Sequence, residues 1–179
     1  MLLSLRNVGI ILLAITCAAI GAATVVVLGH VSSNHSPADA SQRDLPSPKD
    51  TIFARKILMG AIDMNMDEIE TMLAPEGKLD LAEAQEHAET ISTMLMAFPH
   101  MFPAITNQWR VGADRDPALD TFASPDLWTH FSDFYQRATI ASKLAFEASR
   151  AKRATEFKPL ITELRSNCNA CHALYMKGD

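Results

Sequence analysis

Apolar side chains recur at spacings of three and four from residue 48 onwards, which is the period of an amphipathic α-helix. The first such helix, helix A, begins at Ser47-Pro48-Lys49-Asp50, where a serine N-cap precedes a proline and an acid in the first turn. It is expected to end near Ala74-Pro75-Glu76-Gly77. Its apolar stripe comprises Met59, Ile62, Met66, Ile69 and Leu73.

The same period predicts three further helices. Helix B begins at Asp80, where Glu83 completes the cap, and ends at Pro99. Helix C begins at Ser124-Pro125, and helix D follows a short break at residues 151–155. The apolar stripes of B and C comprise Leu81, Ala84, Ala88, Ile91, Leu95 and Phe98, and then Leu127, Phe131, Phe134, Ala138, Ala141 and Ala145.

The segment 99–124 between helices B and C has no sustained period and contains three prolines. It is expected to be a long connection with one short helical turn, and loops of this length in compact domains are commonly functional. No alternating β pattern competes with the helices. The sequence therefore predicts an all-α protein whose residues 48–179 form an antiparallel four-helix bundle.

The chain begins with an apolar segment. Val8 to Leu28 contains 21 residues without a charge, whereas the apolar core of a signal peptide has about 7–15 residues and a membrane-spanning helix about 20. Its length favours an uncleaved transmembrane anchor, while the small residues Gly21-Ala22-Ala23 leave cleavage by a signal peptidase open. We interpret residues 1–29 as a membrane anchor or signal peptide and the polar residues 30–47 as a flexible tether.

Helix D contains the pentapeptide Cys168-Asn169-Ala170-Cys171-His172, and C-x-x-C-H is the attachment signature of a c-type haem. In such a site two thiols form thioethers with the haem vinyl groups, and the histidine ligates the iron. A bare C-x-x-C also occurs in thioredoxin-like pairs and zinc sites, but no strand–helix–strand pattern is present here, and the remaining cysteine, Cys17, lies in the apolar segment. We therefore expect one covalent haem c, an iron cofactor, with Cys168 and Cys171 as its attachment points and His172 as an axial ligand.

The haem motif shares one face of helix D with apolar residues. His172 emerges one turn after Cys168, beside this face, so both thiols and the imidazole are expected to point into the same interior. We expect Trp128, Phe131 and Tyr135 of helix C to pack on or near the haem ring. The face comprises Ile161, Leu164, Cys168, Cys171 and Tyr175.

Charge and export narrow the functional classes. Arg6 is expected to stay in the cytoplasm, which places the rest of the chain on the periplasmic side of a bacterial inner membrane, whether anchored there or released. The net charge of −5 argues against nucleic acid as a partner, because nucleic-acid binding needs a basic surface. The sequence compels no acid–base pair or nucleophile, so we expect no enzymatic activity.

The bundle and its haem motif resemble the class II cytochromes c, the cytochrome c′ family, over roughly residues 48–177. Two positions depart from the family pattern. Met176 stands where an arginine or lysine commonly follows the aromatic residue, and His100-Met101-Phe102-Pro103 replaces a small polar pair. The matching positions are Arg55 with Met59 four residues later, Met64-Asn65-Met66, Phe98-Pro99, Pro125-Asp126-Leu127-Trp128, and Tyr175 three residues after the haem histidine.

The resemblance implies that Met59 either binds the iron as its sixth ligand or only packs over it. Ligation by a thioether suits electron transfer, whereas a five-coordinate iron binds NO or CO. Methionine at helical spacing is also an ordinary core residue, and we interpret Met66 in that way. Arg55, one turn before Met59, is a candidate for contacting a haem propionate or for an ordinary salt bridge. Further candidates for the sixth position are His87 and His130, expected at the surface, and His100 and Met101 in the connection.

Two functions therefore remain open. One is a membrane-tethered electron carrier that exchanges single electrons with unidentified redox partner proteins, and the other is a five-coordinate, gas-binding haem protein of the cytochrome c′ type. A haem subunit without an independent role in a larger complex is a third interpretation. The alanine-rich surface of helices A and B would also permit the homodimer that the resemblance implies.

Overall fold

The structure is a computed structural model that describes residues 46–111, 116 and 120–177. Within that part of the chain, five α-helices form an antiparallel four-helix bundle, as predicted, with two consecutive helices in the place of helix C. In this bundle α2 packs against α1 and α4, and α5 packs against α4. The helices are α1 (Pro48–Leu73), α2 (Leu81–Ala97), α3 (Asp126–Thr129), α4 (Phe131–Ser149) and α5 (Ala154–Tyr175).

The predicted anchor or signal peptide (1–29) and nearly all of the predicted tether (30–47) lie outside the described residues. Of the helices that the structure does describe, none combines the length and the apolar character that crossing a membrane requires. Membrane attachment therefore stays a prediction from the sequence.

Side-chain caps define the first two helices at the predicted residues. Ser47 Oγ accepts a hydrogen bond from the Asp50 amide at 3.2 Å, and the Asp50 carboxylate accepts one from the Ser47 amide at 3.1 Å, which completes a capping box. Asp80 Oδ1 accepts hydrogen bonds from the amides of the first turn of α2, at 3.0 Å from Ala82 and 3.2 Å from Glu83. These contacts satisfy backbone donors that a helix start leaves unpaired.

The turn between α1 and α2 depends on Gly77. The Gly77 amide donates to the carbonyl oxygen of Ala74 at 2.9 Å. A Cβ atom at this position would collide with the backbone carbonyl oxygens of Thr71 and Met72. Glycine is therefore required here because the chain passes close to the end of α1.

In its described residues, the connection after α2 contains two short 3-10 helices, where one short helical turn was predicted. Phe98–Met101 continues directly from α2, and Ala104–Thr106 follows after a break. At its far end the connection pairs with the C-terminus of α5. There the Ser124 amide donates to the Tyr175 carbonyl at 2.8 Å, and the Lys177 amide donates to the Phe122 carbonyl at 2.9 Å.

Helix C differs from the single helix predicted. The chain leaves the helical conformation at His130, where φ is −114° and ψ is 37°, and this residue divides α3 from α4. Backbone hydrogen bonds continue on both sides, from the His130 amide to Asp126 at 2.9 Å and from the Phe134 amide to His130 at 3.1 Å. No proline or glycine marks the break, so the sequence contains no local signal for it.

Small residues bring α2 and α4 close together. Ser92 Oγ donates to the Ser142 carbonyl at 2.9 Å, and Ser142 Oγ donates to the Ser92 carbonyl at 3.0 Å, so that both buried hydroxyls are satisfied. The buried alanines at this contact are Ala84, Ala88, Ala141, Ala145 and Ala148. This tightly packed half of the bundle contrasts with the opposite half, where α1 and α5 are separated by a cavity.

Candidate haem site

A cavity of about 500 Å³ lies between α1 and α5 and is also lined by α2, α4 and the connection. This volume lies in the range of cofactor and ligand sites. Most of its walls are apolar. The apolar residues lining it include Ile62, Met66, Ile91, Leu95, Phe98, Phe102, Leu127, Phe134 and Leu164.

The haem motif faces this cavity. Cys168, Cys171 and His172 all line it, and all three are half-buried. The two cysteines are free thiols. The expectation that both thiols and the imidazole point into one interior is therefore confirmed by their positions on α5.

Burial controls the protonation of these three groups. It raises the pKa of the Cys168 thiol and raises that of Cys171 to about 11, with the neighbouring Cys168 adding to the second shift. Burial lowers the pKa of His172. In the chain before haem attachment, neutral pH therefore leaves both thiols protonated and the imidazole neutral, with a lone pair available to a metal.

Met59 lines the same cavity from α1. Its side chain is half-buried and packs against both apolar clusters of the protein, the larger one around Met66 and the aromatic one around Phe134. Met66 also lines the cavity but is only 2% exposed, which agrees with its interpretation as a core residue. Met59 and His172 thus approach one space from two different helices.

A family model described as cytochrome c′ matches residues 50–176. The chain belongs to the cytochrome c′ family. Proteins of this family carry one covalent haem c per chain. The cavity between α1 and α5 fits such a group. Its apolar walls can cover a porphyrin, and the two free thiols and the neutral imidazole that line it have the sequence spacing that haem attachment needs.

Curated and solved relatives agree with this assignment. The chain is 29% identical to cytochrome c-556 of Agrobacterium fabrum over 126 aligned residues. This alignment covers 68% of this chain and 77% of the relative. Its fold is similar to that of cytochrome c′ from Thermochromatium tepidum, with a TM-score of 0.65, 20% identity, and coverage of 74% and 98% of the two chains. It is similar as well to a variant of cytochrome c′ from Alcaligenes xylosoxidans in complex with nitric oxide, with a TM-score of 0.61, 17% identity, and coverage of 73% and 97%.

Arg55 is buried in the wall of the cavity, with only 4% of its surface exposed. Its guanidinium donates to Thr106 Oγ1 at 2.9 Å and to Thr121 Oγ1 at 2.5 Å. It also lies over the rings of Phe102 and Trp128, with Cζ at 4.5 Å and 5.7 Å from their centroids. Burial lowers the pKa of Arg55 to about 10, so the side chain stays charged at neutral pH.

None of the described carboxylates forms an ion pair with Arg55, so the salt-bridge interpretation of this residue was wrong. Its partners are neutral hydroxyl and carbonyl oxygens of the connection, including the Thr106 and Met101 carbonyls. Arg55 therefore attaches the connection to α1 beside the cavity and leaves a buried positive charge there.

The aromatic wall differs from the one predicted. Phe131 and Tyr135 are 37% and 42% exposed and contact each other at the surface, and Trp128 packs behind Phe102 without lining the cavity. The break at His130 explains part of the difference, because it changes the register between α3 and α4. The aromatic residues that do line the cavity are Phe98, Phe102, Phe122, Phe134 and Tyr175.

The three histidines considered for the sixth position all lie away from the cavity. His87 Nδ1 is 2.8 Å from Asn65 Oδ1. His100 is exposed and contacts the ring of Tyr135, and His130 is exposed with Nδ1 3.1 Å from the Asp126 carbonyl. The expected surface position of His130 is confirmed, whereas His87 is half-buried.

Among the described residues, the cavity is lined by further charged side chains that the sequence analysis did not assign to it, namely Lys56, Asp63, Arg137 and Arg165. Arg137 Nε donates to Asp133 at 2.7 Å, and this contact lowers the pKa of the Asp133 carboxyl. The Tyr175 hydroxyl donates to the same carboxylate at 2.5 Å, which links α4 to the C-terminal end of α5. The spacing of four between Asp133 and Arg137 was a readable signal for this pair.

Replacement of Thr106 by valine is expected to destabilise the protein by about 1–3 kcal/mol, because it leaves the buried guanidinium of Arg55 without its 2.9 Å acceptor. Denaturant unfolding of the haem-loaded protein, followed by far-UV circular dichroism, measures the difference. Thr139→Val is the matched control, since this exposed hydroxyl bonds only the Tyr135 carbonyl of its own helix. Equal unfolding free energies for the two variants would show that the Arg55–Thr106 contact is not stabilising.

Proposed function

We propose that this protein is an electron carrier in which a covalent haem c has His172 as one axial ligand and Met59 as the other. The observation that supports the proposal is that Met59 of α1 and His172 of α5 line the same cavity. A thioether is a weak, soft ligand that favours ferrous iron, and Met/His ligation raises the reduction potential. A haem with two protein ligands leaves no open position for a substrate, so the protein acts as a carrier and not as an enzyme.

In this proposal Cys168 and Cys171 hold the haem through two thioether bonds. Each cysteine would bind one vinyl carbon through its sulfur, with the thiol proton placed on the other carbon of that double bond. The haem supplies one-electron chemistry, while the polypeptide supplies attachment, axial ligands and shielding from water.

Arg55 is proposed to contact a haem propionate. Its buried charge has only neutral partners among the described residues, and a buried charge without a counter-ion is costly. A propionate carboxylate at the cavity wall would supply the missing negative charge and accept a charge-assisted hydrogen bond.

The Met59 ligand is tested by replacing it with alanine. The ferric parent protein is expected to be low-spin and the Met59→Ala variant high-spin, because loss of the second axial ligand leaves the iron five-coordinate. Electron paramagnetic resonance and optical spectra distinguish the two states. Met66→Leu is the control, since it changes another cavity-lining methionine at nearly constant volume. A parent protein that is purely high-spin and unchanged by Met59→Ala would refute ligation by Met59.

The second candidate function is gas binding, which the similar cytochrome c′ in complex with nitric oxide favours. Met59 has an unbranched, flexible side chain, so it can also pack beside an open iron position. Carbon monoxide distinguishes the two functions. Slow binding to the ferrous parent that becomes fast in Met59→Ala supports the carrier, whereas rapid binding to the parent supports the gas-binding protein.

We propose further that the protein is exported and stays attached to the outer face of the cytoplasmic membrane through residues 8–28. The length of this uncharged segment supports the proposal. The intact mass of the protein purified from membranes is expected to include Arg6 and Cys17. A mature chain that begins after Gly21-Ala22-Ala23 would instead establish cleavage and a free periplasmic protein.

We propose that the protein forms a homodimer through an exposed apolar stripe on α1. Phe53, Ile57 and Met64 are 51%, 59% and 70% exposed and lie four and seven residues apart, on one side of the helix. Exposed apolar stripes of this kind commonly mark interfaces.

Ile57→Glu is expected to shift the protein from dimer to monomer, because a homodimer would bring two buried carboxylates together. Sedimentation velocity measures the change at several concentrations. Ile140→Glu on α4 is the control, since Ile140 is also half exposed but lies on a different helix. A parent protein that sediments as a monomer at every concentration would refute the pairing.

A further inference from the structure

The helices that carry the two proposed iron ligands are joined by one group of ion pairs. α1 carries Met59, α5 carries His172, and the cavity separates them at the level of these residues. Between these two fully described helices, every hydrogen bond and ion pair involves Arg165 of α5. We call Arg165 and its three partners on α1, Asp63, Asp67 and Glu70, the Arg165 clamp.

Glu70 is the principal partner in the clamp. Arg165 Nε donates to Glu70 Oε1 at 2.6 Å, and Nη2 donates to Oε2 at 2.9 Å, so the guanidinium and carboxylate meet in a two-bond fork. The contacts to Asp63 and Asp67 are both 3.7 Å long, and these carboxylates are 65% and 69% exposed. Solvent therefore screens the two longer contacts more strongly than the fork.

The three acids of the clamp lie on one side of α1. Asp63, Asp67 and Glu70 are spaced four and three residues apart, so their negative charges repel one another along the helix. Arg165 supplies the positive charge that offsets this repulsion, and its own side chain is only 29% exposed. Without Arg165, α1 would turn three like charges towards α5 with no cation to hold the helices together.

The clamp begins one turn from Met59 and extends away from the iron ligands along α1. Asp63 follows Met59 by four residues, about 6 Å of helix rise, and the principal partner Glu70 follows it by eleven, about 16 Å. On α5, Arg165 precedes His172 by seven residues, about 10 Å. Because the two helices run in opposite directions, these offsets place the clamp on the same side of the ligand pair. Asp63 and Arg165 also line the cavity itself.

We propose that the Arg165 clamp sets the separation of α1 from α5 at the haem and thereby how firmly Met59 is held in the sixth position of the iron. The proposal rests on the ligand role proposed for Met59. Arg165 is a positioning residue, because it acts through the placement of α1 and does not contact the iron. A weak thioether ligand makes the coordination equilibrium sensitive to such placement, since a small change in free energy shifts the populations of both states.

Arg165→Met tests the proposal in the haem-loaded protein. Loss of the fork is expected to raise the ratio of high-spin to low-spin ferric iron about fivefold and to accelerate carbon monoxide binding to the ferrous form by a similar factor, the size that loss of a partly exposed ion pair allows. Arg165→Lys should give an intermediate effect, because an ammonium keeps the charge but loses the two-bond fork. Glu70→Gln should resemble Arg165→Met.

The control is Arg150→Met, which removes the ion pair between Arg150 and Glu89 at 2.9 Å, a contact between α2 and the C-terminal end of α4. This variant removes an inter-helix ion pair whose two residues do not line the cavity, so it is expected to leave the spin state and the carbon monoxide rate unchanged. If Arg165→Met fails to bind haem, a salt titration of the parent replaces it. High salt should then raise the high-spin fraction of the parent, because it screens the clamp. The high-spin fraction of Arg150→Met should equal that of the parent at every salt concentration.

Unchanged spin populations together with unchanged carbon monoxide rates in Arg165→Met and Glu70→Gln would overturn the clamp. Equal shifts in the Arg150→Met control would also overturn it, because they would indicate a general loss of stability. A parent that is purely high-spin and insensitive to Met59→Ala refutes ligation by Met59 separately. In that case the carbon monoxide rates alone decide whether the clamp sets the width of the haem site.

Discussion

The separation of α1 from α5 is the constraint on which the rest of the structure depends. The other helix pairs are closed by alanine, serine and apolar contacts, but these two helices face each other across a cavity of about 500 Å³. The walls of this space are mostly apolar and partly open to solvent. A bulky apolar group placed there would remove these walls from water and so stabilise the bundle.

Two arginines define the borders of this space in different ways. Arg55 is buried and bonded to neutral oxygens of the connection, so it closes the cavity on the side of Thr106 and Thr121. Arg165 is partly exposed and bonded to Glu70, so it closes the side nearer the middle of the bundle. One charge is fixed by geometry in a dry environment, and the other is fixed by ion pairs that solvent and salt can reach.

Local features of this protein could be predicted from its sequence, whereas contacts between distant residues could not. The capping box at Ser47, the cap at Asp80 and the shared orientation of Cys168, Cys171 and His172 each depend on a few neighbouring residues. The partners of Arg55 are 51 and 66 residues away, and Glu70 is 95 residues from Arg165. Spacing along one helix cannot identify such partners, because they meet only when the bundle is assembled.

The aromatic residues of the predicted helix C also show that helical spacing alone does not determine which side chains are buried. Periodicity through residues 125–145 assumes a continuous helix, and it assigns Phe131 to the core together with Phe134. The break at His130 uncouples the two sides, so Phe134 remains buried while Phe131 is partly exposed. No proline or glycine marks the break in the local sequence, so periodicity alone could not locate it.

The two candidate functions require the same haem, the same attachment and the same histidine, and they differ only in the state of Met59. Moving a two-state equilibrium from 1:99 to 99:1 takes about 5.5 kcal/mol. The fork between Arg165 and Glu70, a partly exposed ion pair, accounts for about 1 kcal/mol of such a difference. On the proposed ligand role of Met59, contacts that hold α1 in place can therefore shift the balance between a carrier and a gas-binding site without any change in the haem motif itself.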